Sequence, residues 1–167
     1  MLPSEDIKKI EVGFRTLNII WGAMLISVFI YIIVGLYIVD EIDIHLESNI
    51  IDMLRNVLYG STLSILFVTK LLRGMLLSAK GSSANTVRSQ IYSQYPAISK
   101  YTTALIITLA LCESIGILGL TLFILGKNLK DLYLFIIVSA ASMIYYRPKK
   151  EDIVNLAKEM IGKQSVT

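Results

Sequence analysis

The chain has 167 residues, 54% of them hydrophobic and 17% charged, with a mean hydropathy of +0.65 and a formal charge of +3. A soluble domain carries about 25% charged residues, so this composition belongs to a chain built for lipid, and the length holds a single membrane domain over residues 1–167. A balance of +3 is too small to argue for nucleic acid, and a lone cysteine, Cys112, excludes an intramolecular disulfide and reads as a small packing residue.

The first element is a short helix that Ser4 can cap, with Glu5 and Asp6 in its first turn. Ile7, Ile10 and Phe14 share one face, which predicts a segment lying at the membrane surface. Residues 17–39 follow, 23 positions without a charge. That is long enough to cross a bilayer and too long for a signal-peptide core, and no small-residue cleavage pattern closes it. An acidic loop comes next, with Asp40, Glu41, Asp43, His45 and Glu47 in no metal-ligand spacing, so it reads as a solvated loop. The second span covers 57–78 and is interrupted by Lys70 and Arg73. A polar loop over 79–100, containing Gly81-Ser-Ser-Ala-Asn85, exceeds an ordinary connector and has room for a binding role. The third span covers 101–125 and the fourth 132–146. Gly126 is the expected C-terminal cap in the turn between them, which makes the pair a tight antiparallel hairpin. The fourth run has only 15 residues, so it needs thinning of the bilayer or burial by neighbours. Pro148 ends it, and a surface helix over 149–162 carries Ile153, Leu156, Met160 and Ile161 at helical spacing. A juxtamembrane anchor and a dock for a cytoplasmic partner both fit that helix. There is no internal repeat.

The fold class is therefore all-α, an integral membrane protein with four transmembrane helices and short amphipathic flanks. Of the 16 basic residues, 13 fall before the first span, around the 79–100 loop or after the fourth span. The other side keeps Arg55, Lys127 and Lys130 beside the acidic loop. The positive-inside rule then places both termini in the cytoplasm of a multi-pass protein of the cell membrane.

Glu113 is the residue this pattern does not explain. It sits midway through an otherwise uncharged run, where a charge costs on the order of 2.5–3.5 kcal/mol unless it is neutralised or partnered. In the second span Tyr59, Thr62, Thr69 and Arg73 form a polar stripe that should face protein or water. Taking 57–78 as that span puts Lys70 about 4 Å from the bilayer centre, within reach of Glu113. A buried Glu113–Lys70 pair, a titrating carboxylate in a proton or monovalent-cation path, and a lone protonated acid are all open. Thr108, Cys112, Gly116 and Gly119 form a small-residue face that lets another helix approach closely.

The stretch 104–123, with Cys112-Glu113 leading into Gly116-Ile-Leu-Gly119-Leu, resembles the carboxylate-bearing helix of rotary-ATPase proteolipid (c-type) subunits. That resemblance implies a proton- or sodium-binding role for Glu113. The preceding helix of that family is dense in glycine so that a ring can close. Here 57–78 offers Gly60 and Gly74 together with Lys70 and Arg73, which does not suit a ring.

No catalytic constellation, metal cluster or haem-ligand pair is present, and no cofactor is expected. The expectation is a non-enzymatic subunit or accessory component of a membrane assembly, surrounded by lipid and by other membrane subunits or copies of itself. A small ion-coupled four-span exporter is the alternative, and an enzyme acting on lipid or quinone is the third class.

Overall fold

The computed structural model describes residues 4–39, 47–77 and 96–164. These form five helices and no strand. They are α1 (Ser4–Ile38), α2 (Ser48–Leu77), α3 (Pro96–Gly126), α4 (Leu129–Tyr145) and α5 (Lys150–Gln164). The acidic residues 40–46 and most of the 79–100 loop lie outside the described residues.

Three helices are long and apolar enough to cross a membrane, and the bent pair α4–α5 makes a fourth candidate. The expected short N-terminal helix is not separate: α1 is one rod of 35 residues, because no proline or turn sequence interrupts the chain after Ser4. Helix α2 starts at Ser48 rather than 57. Its first turns carry Asn49, Asp52 and Arg55, which hydropathy excludes from a span but which are compatible with helix. Pro96 opens α3, where its fixed φ suits the first turn and its missing N–H costs nothing.

The α3–α4 turn departs from expectation. Gly126 is the last helical residue of α3, and the left-handed position falls on Lys127, at φ 50°. The Lys127 N–H reaches back to the Phe123 carbonyl at 2.7 Å. Asn128 then caps α4, its side chain accepting from the Lys130 N–H at 3.1 Å, and Asp131 sits in the first turn where the helix dipole favours an anion. The chain bends by 51° between α4 and α5.

Helix α3 is the axis of the bundle, and α1, α2, α4 and α5 all pack on it. Without a hydrophobic force between helices in lipid, close packing has to hold them. Gly119 provides that contact with α4, since a Cβ there would overlap the Cβ of Phe135. Ser139 of α4 donates to the Cys112 carbonyl at 2.6 Å. The amphipathic flanks pack their apolar faces onto protein. Ile10 is 1% exposed and Ile153 0%, and both join Leu17, Ala97, Ile98, Leu156 and Ala157 in one core. The side chains of Ile7, Met160 and Ile161 lie outside the described residues.

Candidate functional site

Two polar clusters mark the ends of the α2–α3–α4 bundle. At one, the Arg55 Nε donates to Asp131 Oδ2 at 3.0 Å and the Tyr59 hydroxyl to Oδ1 at 2.8 Å, while Arg55 also holds Asp52 at 2.7 Å. Tyr59 stacks on Phe135 with ring centroids 5.1 Å apart. At the other, the Arg73 guanidinium lies over the rings of Tyr101 and Tyr146, 5.9 and 5.2 Å from their centroids, and 3.8 Å from Asp152. The Tyr101 hydroxyl also accepts from the Lys149 N–H at 3.2 Å. Arg55 and Arg73 are 18 positions apart on one helix, a separation of about 27 Å, close to the thickness of a hydrocarbon core.

Glu113 lies inside that layer. Its Oε1 lies at hydrogen-bond distance from the Ser27 hydroxyl, 2.6 Å, and accepts from the Tyr31 hydroxyl at 2.7 Å. Ser27 and Tyr31 are one turn apart on α1, so the helix period brings both hydroxyls to one carboxyl oxygen. Gly116, one turn beyond Glu113, admits the tyrosine: a Cβ there would come 3.2 Å from the Tyr31 ring. The carboxyl group is half-buried, and Ala110 and Ile117, one turn to either side of it, are exposed. The site thus opens along the edge of the α1–α3 contact.

Lys70 is not part of it. Arg73 fixes the level of Tyr101, so Lys70 lies about 4.5 Å above that level and Glu113 about 18 Å above it. The two are separated by roughly 13 Å along the helix axes, and Lys70 is exposed on α2. The sequence-based pairing failed because the apolar run 57–78 misplaced the midpoint of a helix that begins at Ser48. Near the Arg73 end, a lysine can extend its ammonium group toward the interface.

The rest of the α2 stripe faces protein. Tyr59 and Arg73 serve the two end clusters, and Thr62 and Thr69 are buried, with their hydroxyls donating to Leu58 and Ile65 carbonyls at 2.9 and 2.7 Å. The small residues of α3 divide between partners: Cys112 and Gly119 meet α4, and Gly116 meets α1. Thr108 is buried and donates to the Ala104 carbonyl at 2.7 Å. Sequence reasoning missed Ser27, Tyr31 and the buried Asp131. The available signal for the first two was a pair of hydroxyls one turn apart in an uncharged run.

Among the described residues, no group of three or more His, Cys, Asp or Glu side chains could hold a metal ion. Comparison with family models, with curated proteins and with solved structures finds no match to this chain. What the fold shows is a small helical protein with membrane-spanning character.

Proposed function

We propose that the chain is a non-enzymatic component of a membrane assembly, and that its Glu113 site handles a proton or a monovalent cation. The observation that carries this role is a carboxyl group deep in the apolar layer, held by two hydroxyls rather than by a basic side chain. Hydroxyls stabilise a carboxyl group without neutralising it, so a positive ligand completes the site. In the same proposal α1, α2, α3 and α4 are the four spans, both termini are cytoplasmic, and the membrane is the cell membrane. The excess of Lys and Arg on one side supports that orientation. Large apolar side chains on the outer faces of α1 and α2, such as Ile33 and Phe67, are exposed and available to lipid or to neighbouring subunits.

Native mass spectrometry of the protein released from its own membrane in a mild detergent tests the assembly role. Bound membrane proteins or further copies of the chain are expected, and a bare monomer at every detergent concentration would overturn it. A small ion-coupled exporter is the alternative that the open edge of the site supports. Ion-coupled solute flux in vesicles containing this chain alone would decide for it.

A further inference from the structure

We infer that the ligand of the Glu113 site is a proton, carried on the carboxyl group and shared with Ser27 by donation within a counted chain of hydrogen bonds. The inference deepens the ion-handling role proposed above and rests on it. Four oxygens stand in a row: the Met24 carbonyl, Ser27 Oγ, Glu113 Oε1 and the Tyr31 hydroxyl. Ser27 Oγ is 2.7 Å from Met24 O and 2.6 Å from Oε1, and the Tyr31 oxygen is 2.7 Å from Oε1. Those are three links of hydrogen-bond length, and each needs one hydrogen. The two hydroxyls supply two, because serine and tyrosine each carry a single O–H. A carbonyl supplies none. The third hydrogen belongs to the carboxyl group.

The assignment then closes. Glu113 donates through Oε1 to Ser27 Oγ, Ser27 donates to the Met24 carbonyl, and Tyr31 donates to Oε1. When the proton leaves, the Ser27 hydroxyl turns from Met24 O to Oε1, so that both hydroxyls donate to the carboxylate. One bond rotation at Ser27 therefore accompanies each proton bound or released. From α1, the titratable group facing Glu113 is Tyr31. The charged groups that α2 and α4 direct into the bundle, Arg55, Arg73 and Asp131, sit in the two end clusters. Each consecutive pair of oxygens stands at hydrogen-bond distance, which three hydrogens account for with no cation between them.

Labelling with a hydrophobic carbodiimide tests the assignment, since the reagent modifies a protonated carboxyl group reached from lipid, and Ala110 and Ile117 leave this one accessible. The intact protein in vesicles is treated over a series of pH values at constant ionic strength, with sodium, potassium or a large organic cation, and modified Glu113 is quantified by peptide mass spectrometry. Expected is modification of Glu113 that declines as the pH is raised and is the same in all three salts. Tyr31→Phe and Ser27→Ala, each releasing one link to Oε1, should speed the modification several-fold. Protection by sodium or potassium at fixed pH would overturn the proton assignment and leave the ion-handling role standing. No modification at any pH, with the helical circular dichroism of the protein intact, would remove both. The wild-type salt series decides the matter even if either variant fails to fold.

Discussion

Gly119→Ala adds one methyl group where two helices touch most closely. The new Cβ would overlap the Cβ of Phe135 and lie 3.0 Å from its Cγ, with the Phe135 Cα at 3.6 Å. Those atoms are at the root of the side chain, so no rotamer change removes them and α4 itself has to shift. Phe135 is fully buried and stacks on Tyr59, which holds Asp131, so the shift reaches the Arg55 cluster. Overpacking of this kind costs about 1–3 kcal/mol, against a gain of up to about 1 kcal/mol from replacing glycine in a helix. The net is a loss of up to about 2 kcal/mol, and Gly119→Ala should fall about 1–3 kcal/mol below a glycine replaced in open space. Gly60→Ala is the internal control: nothing lies within 4 Å of its Cβ, so it keeps only the gain. Unfolding in mixed micelles with rising dodecyl sulfate, followed by circular dichroism, measures both. Phe135→Ala retains the offending Cβ and should not rescue Gly119→Ala. Equal stability of Gly119→Ala and Gly60→Ala would refute the α3–α4 contact as the closest point of the bundle.

On a Cys112→Ser background, Ser48→Cys should react with an impermeant maleimide from outside intact cells and Ser83→Cys only after lysis; the reverse pattern contradicts the proposed orientation. Arg55→Met should destabilise the protein in the micelle assay, because it strands the buried Asp131 carboxylate. Asp131→Asn should cost less in the same micelle assay, because Arg55 keeps Asp52 at 2.7 Å while Tyr59 still donates to residue 131, and the opposite order would refute the pairing. Lys127→Gly should stabilise by about 1 kcal/mol in that assay by relieving a left-handed backbone, and a loss would show that the lysine side chain outweighs that strain.

The helices were legible from the sequence and their contacts were not. Apolar runs announce α1, α2 and α3, and the Gly126–Asp131 segment announces a turn. Hydropathy set the start of α2 too late because helix formation does not require apolar residues: the polar turns around Asp52 and Arg55 continue the same helix. That error alone placed Lys70 beside Glu113. Asp131 was legible as part of a turn, but not as the buried acceptor of Arg55, since that contact joins positions 76 apart in the chain. The small residues of α3 were readable as a close-approach face, whereas which helix fills each notch depends on how α1 and α4 are arranged around α3. Ser27 and Tyr31 were individually unremarkable polar positions. Only the approach of α1 to Gly116 gives them a carboxyl group to hold.

The continuity of α1 has a mechanical consequence. A single rod of 35 residues is about 52 Å long, roughly 20 Å more than the ~30 Å of hydrocarbon that an upright helix has to cross. Tyr31 and Ile10 ride on that rod with no joint between them, one at the Glu113 carboxyl group and the other in the seam formed with α5. They are 21 positions apart, so a tilt of about 5° pivoting at Tyr31 sweeps Ile10 through roughly 3 Å. The rod therefore acts as a lever: small movements around the carboxyl group are enlarged at the far end, where the packing of Ile10 on α3 and α5 would have to yield.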